Sequence, residues 1–205
     1  PDAPQTNQAV AEVDALVGRL VAGLRELNQP ANLVIVSDHG MAALSPDRIV
    51  RLDQMVPPDS IRVIEEGPYA AFAPVPGHEA EVTAALARPH PHVQCWPREQ
   101  IPERFHYGHN PRVAPWICLG DTGWAVMTRP LQPGRPFTGG NHGWDNQSPE
   151  MQALFIATGP AIRPAGHLPP FDNVDVEPLL RALIGLPQQQ DIDGTVAPFE
   201  NILIH

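Results

Sequence analysis

The run Asn32-Leu33-Val34-Ile35-Val36-Ser37-Asp38-His39-Gly40-Met41 decides the predicted fold. Its residues 33–36 are all apolar, and a strand that is apolar on both faces is typical of a parallel sheet covered by helices. Before this strand, aliphatic residues recur at steps of three and four, which predicts an amphipathic helix with one buried stripe. A helix, a short loop and a buried strand together predict an α/β fold. The stripe consists of Val10, Val13, Val17, Leu20, Val21, Leu24 and Leu27.

Asp38 and His39 follow the strand directly, at the position where open α/β sheets bind their ligands. A carboxylate beside an imidazole offers two donors for a divalent metal ion. Neighbouring residues of a regular strand point to opposite faces, so both side chains reach one ion only if the backbone leaves the strand here. Gly40 permits such a turn. The alternative is a turn aspartate beside a partly exposed histidine.

His142 is the second candidate site. It lies in the run Thr138-Gly139-Gly140-Asn141-His142-Gly143-Trp144-Asp145-Asn146, whose glycines permit unusual backbone angles and a close approach to a ligand. A mobile surface loop is the alternative for this segment taken alone. Two such segments, each in a loop beside an apolar strand, support metal binding more than either segment does alone.

Residues 45–135 differ from the flanking sequence because proline and glycine interrupt them often and their apolar runs are short. We therefore predict a smaller α+β insertion or lid over 45–135, between two parts of one α/β domain over 1–44 and 136–205. The expected strands are 69–73, 93–96 and 153–157, the expected helices are 78–86 and 174–183, and a hairpin is expected to join 116–119 to 124–127.

Composition bounds the classes of function. The 205 residues carry 13 cationic side chains against 23 Asp and Glu, a net charge of −10, which argues against binding a nucleic-acid polymer. An apolar fraction of 42% is enough for a core, and no apolar run is long enough to span a membrane. The two cysteines, Cys95 and Cys118, match no zinc-binding spacing, and the residues alone leave open whether they pair or stay free in a core.

Three segments resemble the nucleotide pyrophosphatase/phosphodiesterase family of the alkaline phosphatase superfamily. The run 32–41 resembles the family's metal-binding segment, and Gly140-Asn141-His142-Gly143-Trp144-Asp145-Asn146 is similar to its later G-x-HG-aromatic-D-N segment. Phe171-Asp172-Asn173-Val174-Asp175-Val176-Glu177-Pro178-Leu179-Leu180 resembles its F-x-NVDVYPL stretch, with Glu177 in place of the usual tyrosine. The segments occur in the family's order, and compact bacterial members look most similar. The resemblance implies an alkaline-phosphatase-like α/β fold with a mostly parallel sheet covered by helices.

The resemblance also implies a site with two zinc ions. Asp38 and His39 would bind the ion that activates a threonine nucleophile, and His142 would bind the other ion. Apart from the resemblance, Asp145 and Asn146 are candidates to support the His142 loop, because they follow it directly in the sequence. The implied reaction is hydrolysis of nucleotide phosphodiester or pyrophosphate bonds. The alternatives are a superfamily hydrolase for phosphomonoesters, phospholipid head groups or phosphonates, and a catalytically silent binding module of the same fold.

The ligand count indicates that this chain is only part of such a fold, its C-terminal half. Two zinc ions bring four positive charges and take three or four protein ligands each, whereas Asp38, His39 and His142 supply three ligands and one negative charge. In the family the remaining ligands include a D-x-x-x-H segment, whose counterpart would lie before Pro1, together with the nucleophile. The N-terminal half of the same protein would then be a partner of this chain, and a nucleotide or other phosphodiester would be the substrate.

Location also follows from the resemblance. The family's bacterial members are typically exported, which implies a periplasmic or secreted protein. In such a compartment we predict a disulfide between Cys95 and Cys118.

Overall fold

The computed structural model describes residues 1–134 and 136–204, which divide into two compact units. The terminal unit combines Asp2–Asp38 with Ala153–His205, and the central unit comprises His39–Gln152 together with Pro1. Both ends of the predicted insertion 45–135 fall inside the central unit. The functional division into a catalytic part and an insertion stays a prediction.

The described residues form three α-helices and ten β-strands, with single 3-10 turns between several of them. The helices are α1 (Pro4–Glu26), α2 (Glu79–Leu86) and α3 (Val176–Leu183). The strands are β1 (Leu33–Val36), β2 (Ala42–Ala43), β3 (Ile49–Arg51), β4 (Ile61–Glu65), β5 (Tyr69–Pro74), β6 (Val93–Pro97), β7 (Trp116–Gly120), β8 (Ala125–Met127), β9 (Gly140–Asn141) and β10 (Phe155–Thr158).

In the terminal unit, β1 pairs with β10 in an antiparallel sheet. The fully apolar run had predicted a parallel neighbour. Val34 and Ala157 lie opposite each other on the face that packs on the core, whereas Ile156 on the other face is 48% exposed. Apolar residues on both faces of a strand indicate that other apolar elements pack on each face. They do not specify whether the neighbouring strand is parallel or antiparallel.

Aromatic side chains form much of the core of the terminal unit. The rings of Phe155, Phe171 and Phe199 contact one another, with centroids between 4.7 and 5.5 Å apart. Leu179 on α3 is fully buried in the same cluster. This packing holds α3 against the β1–β10 pair.

The long helix α1 lacks the buried stripe that its sequence predicted. None of its residues is buried, and Val17, Val21 and Leu24 are only half-buried. A stripe is buried only against an apolar partner, and the described residues do not cover this one. No helix within 1–134 and 136–204 is long and apolar enough to cross a membrane. The exposed large apolar side chains are Val10, Val13, Leu16 and Leu20 of α1 and Leu27, which directly follows it.

The central unit is built on a four-stranded antiparallel sheet in the order β4-β5-β7-β6. Its core includes the fully buried Leu52, Phe72 and Val82. The predicted hairpin between 116–119 and 124–127 is wrong, because β8 pairs in parallel with β3. Both edges of β7 are already paired with β5 and β6, so β7 has no edge left for β8.

A disulfide joins the two cysteines, which confirms the predicted pairing. Cys95 on β6 lies directly opposite Cys118 on β7, with their Cα atoms 4.0 Å apart. Cys118 is fully buried in the core of the central unit. The bridge therefore ties the edge strand β6 to the middle of the sheet.

A short antiparallel pair, β2 with β9, positions the candidate site within the central unit. It places Ala42 opposite Asn141. His39 lies just before β2, and His142 directly follows β9. The pairing therefore brings two segments that are far apart in the sequence side by side.

Candidate metal centre

His39 is a candidate ligand of the central unit, and its neighbour fixes its ring. Its Nδ1 lies 2.7 Å from the carbonyl oxygen of Gly40. A carbonyl oxygen can only accept, so Nδ1 donates the proton in this hydrogen bond. Histidines that bind metals usually donate their other ring N–H to a carboxylate or a backbone carbonyl. The contact with Gly40 is therefore of the kind that orients a metal-binding histidine.

Gly40 is required at its position by close packing. Its backbone N–H donates to the carbonyl oxygen of Met151 at 3.0 Å, and a Cβ built on Gly40 would lie 2.0 Å from the carbonyl oxygen of Glu150. Any side chain here would push this segment away from the 3-10 turn Pro149–Met151. The glycine thus permits a close backbone approach directly beside His39.

His142 meets His39 from the second segment. The two imidazole rings stack with their centroids 3.6 Å apart and their planes at 12°. Gly139 and Gly143, both with a φ of +107°, lie on either side of the exposed His142. The backbone N–H of His142 donates to the side-chain oxygen of Asn141 at 2.9 Å. The structure thus brings together two of the three predicted ligands.

Asp38 is the last residue of the first segment of the terminal unit. Its backbone carbonyl accepts a hydrogen bond from Asn173 Nδ2 at 3.0 Å. Asn173 belongs to the run 171–180, one of the three segments that carry the family resemblance, so this run fixes the backbone at the end of β1. The role of the Asp38 carboxylate as a metal ligand stays a prediction.

The donors of the central unit suit zinc but do not complete a metal site. Within 1–134 and 136–204, no group of three or more His, Cys, Asp or Glu side chains is placed to hold a metal ion. Catalytic zinc usually takes three protein ligands, and imidazole is among its preferred donors. His39 and His142 therefore fit a zinc centre as one part of its ligand set.

Arg104, which no sequence motif marks, holds the carboxylate of Asp145. Its Nη1 donates to Oδ1 at 2.8 Å, and its Nη2 donates to Oδ2 at 2.5 Å. The Gln147 backbone N–H donates to Oδ1 at 2.9 Å. The hydrogen bonds from Arg104 are the main reason that the pKa of Asp145 lies below its usual value. The supporting roles predicted for Asp145 and Asn146 are not tested by these contacts and stay predictions.

Trp144 anchors the same loop in the core. It is 5% exposed and packs in one cluster with Ala42 and Met151. Its Nε1 donates to the carbonyl oxygen of Trp124 at 2.7 Å. The backbone is therefore fixed two residues after His142.

Comparison with known protein sequences identifies related proteins. A sequence profile described as type I phosphodiesterase / nucleotide pyrophosphatase matches residues 1–145. Human ectonucleotide pyrophosphatase/phosphodiesterase family member 5 is 35% identical over 188 residues, which cover 91% of this chain and 39% of that protein. The bis(5'-adenosyl)-triphosphatase enpp4 of Xenopus laevis is 34% identical over 188 residues, which cover 91% of this chain and 40% of that protein. The chain thus spans about 40% of the length of these relatives.

Solved structures show the same likeness. Human ectonucleotide pyrophosphatase/phosphodiesterase 5 matches with a TM-score of 0.88 and 32% identity, over all of this chain and 54% of that chain. The murine protein of the same name, inactive and in complex with AMP, matches with a TM-score of 0.85 and 33% identity over the same shares. The likeness therefore extends over both units of this chain.

Proposed function

Because this chain belongs to the type I phosphodiesterase / nucleotide pyrophosphatase family, we propose that it is part of a zinc-dependent hydrolase that cleaves nucleotide phosphodiester or pyrophosphate bonds. The predicted alkaline-phosphatase-like α/β fold class is confirmed, and the chain covers part of that fold. The observation that carries the proposal is the stacked pair His39 and His142.

Three residues of this chain are assigned to two zinc ions in this proposal. Asp38 and His39 hold one ion, and His142 holds the other. The Gly40 carbonyl accepts from Nδ1 of His39 and orients its ring, and the Asn141 side chain fixes the backbone of His142. Zinc supplies Lewis acidity toward phosphoryl oxygens when it is bound. The contribution of this chain is to hold the imidazole donors in place.

The threonine nucleophile and the remaining zinc ligands are assigned to another part of the same protein. Asp38, His39 and His142 carry too few donors and too little negative charge for two zinc ions. The relatives support this assignment, because the chain spans about 40% of their length. The N-terminal half is therefore the proposed partner of this chain.

A nucleotide is the proposed substrate. One relative is named a bis(5'-adenosyl)-triphosphatase, and one similar structure is a complex with AMP. Turnover of phosphomonoesters, phospholipid head groups or phosphonates in place of nucleotide diesters would support the alternative superfamily activity. A protein that binds no zinc would support the silent binding module.

Export to the periplasm or the cell exterior is proposed for the same protein. The Cys95–Cys118 disulfide supports this location, because such bridges persist in oxidising compartments. The similarity to compact bacterial members remains part of the proposal.

The proposal is tested by replacing the assigned ligands in the full-length protein. Asp38→Asn deletes a negative charge beside one zinc, and His142→Ala removes a donor from the other. Either change should lower turnover of a chromogenic nucleotide diester at least about a hundredfold, the scale of losing a principal electrostatic stabiliser. Zinc content should fall from about two ions per protein towards one.

The matched control for this test is His109→Ala, which removes another exposed loop histidine of the central unit. It should keep turnover and zinc content, and circular dichroism should show that all variants fold. If Asp38→Asn retained near-normal turnover with both zinc ions bound, the assignment of this motif would be wrong.

A further inference from the structure

The Arg104–Asp145 pair holds the loop that carries His142. It connects the 3-10 turn Glu103–Phe105 to a residue three positions after His142. The pair is bidentate, so it fixes the orientation of the carboxylate as well as its distance. The guanidinium carbon of Arg104 lies 4.0 Å from the centroid of the Phe105 ring, and this contact orients the arginine itself.

The His142 loop, defined here as residues 139–145, needs such a hold. Gly139 and Gly143 have positive φ values that glycine adopts freely, and the His142 side chain is exposed. The loop is fixed at its end by two consecutive residues. Trp144 is buried in the core, and Asp145 is bound by Arg104.

Stability alone does not account for the pair. The side chains of Arg104 and Asp145 are 39% and 32% exposed, and ion pairs with that much access to water contribute little to folding. What the pair supplies is geometry at a residue close to a candidate ligand. Its hydrogen bonds fix the backbone that leads to the ligand rather than the ligand side chain itself. Groups that orient a ligand without touching the metal affect metal affinity.

We infer that Arg104 is a positioning residue of the metal centre. By binding the Asp145 carboxylate, Arg104 keeps the His142 imidazole stacked on that of His39. The inference rests on the proposed function, since it requires His142 to be a zinc ligand. It also gives part of the predicted insertion 45–135 a role, because Arg104 lies within it.

The test compares Arg104→Lys and Arg104→Ala in the full-length protein. Lysine keeps the charge but cannot donate to both carboxylate oxygens in parallel. Zinc affinity, measured by competition with a chelator, should fall about tenfold for Arg104→Lys and up to about a hundredfold for Arg104→Ala. In the metal-free protein, amide hydrogen exchange over 139–145 should become faster in both variants.

Arg51→Lys is the matched control. Arg51 forms a bidentate pair with Asp53 at 2.8 and 2.5 Å, but that pair joins residues two positions apart. This variant should keep wild-type zinc affinity and wild-type exchange over 139–145. If Arg51→Lys also weakened zinc binding, the loss of any bidentate arginine pair in the central unit would have this effect, and the role would not be specific to Arg104.

A double variant tests whether Arg104 acts through Asp145. Asp145→Asn alone should weaken zinc binding, and Arg104→Ala combined with Asp145→Asn should bind zinc no more weakly than Arg104→Ala. In the full-length protein, Arg104→Ala should lower kcat and leave KM for the nucleotide diester unchanged. A general loss of folding would not produce this pattern.

His142→Ala separates this inference from the proposed function. If His142→Ala left zinc affinity unchanged, the proposed function itself would fail. If His142→Ala weakened zinc binding while Arg104→Ala kept both wild-type affinity and wild-type exchange, only the inference would be overturned. The Arg104–Asp145 contact would then be an ordinary surface ion pair.

Discussion

The carboxylate of Asp145 couples the folding of the central unit to pH. Hydrogen bonds from Arg104 hold the pKa of Asp145 in the folded protein below its unfolded value of about 3.9. The unfolded state therefore binds the proton more readily than the folded state. The contribution of the pair to stability is fully present above the unfolded pKa and is lost as the pH falls through the lowered folded pKa.

We expect Asp145→Asn to remove this pH dependence. The lost contribution should be at most about 1 kcal/mol, because both partners of the ion pair are partly exposed. The measurement is the free energy of unfolding in urea from about pH 7 to about pH 2. The wild-type and Asp145→Asn curves should lie apart at neutral pH and converge at the acidic end. Asn146→Ala changes no titrating group and should follow the wild-type slope, whereas parallel curves for wild type and Asp145→Asn would contradict the prediction.

Single residues also show how far the sequence specifies the site. His39 follows an apolar strand and His142 lies among glycines, and both contexts are visible in the sequence. Their stacking depends on the register of β2 with β9, which no local pattern encodes in strands of two residues. Arg104 was missed for the same reason, because folding chooses its partner 41 positions away.

At the scale of elements, periodicity located helices and strands better than it located their partners. The strand predicted over 93–96 appears as β6, and the helix predicted over 78–86 appears as α2. Strand pairing depends on which edges are free, and this is a property of the assembled sheet. The failure of the predicted β7–β8 hairpin follows from the two occupied edges of β7.

We expect the Cys95–Cys118 bridge to stabilise the central unit. The two cysteines are separated by 23 positions, and the loss of chain entropy for a closed loop of that length corresponds to about 3 kcal/mol. Replacing both cysteines with alanine should lower the free energy of unfolding by about 2–4 kcal/mol. Urea unfolding with and without reductant measures this effect.

The double alanine variant supplies its own control. It should be insensitive to reductant, and the reduced wild type should approach its stability. If the wild type unfolded at the same urea concentration whether its two thiols were reduced or joined, the bridge would not contribute to stability.

At the scale of the whole molecule, α1 exposes an apolar face on a chain with a net charge of −10. Val13, Leu16, Leu20 and Leu27 follow one another at helical spacing, and each is more than half exposed. The sequence correctly predicted an amphipathic helix but not the exposure of this face. An apolar stripe indicates that a helix needs an apolar partner without specifying which segment provides it.

We expect the free 205-residue chain to self-associate through this face of α1, because contiguous exposed apolar surface favours association. Leu16→Glu combined with Leu20→Glu should shift the chain towards monomer in sedimentation velocity. Ala11→Glu combined with Ala22→Glu adds the same charge at exposed positions away from the stripe and should leave association unchanged. Both variants should change the free energy of unfolding by no more than about 0.5 kcal/mol, since all four positions lie on the surface. If both variants dispersed the chain equally, added charge and not the apolar face would govern its association.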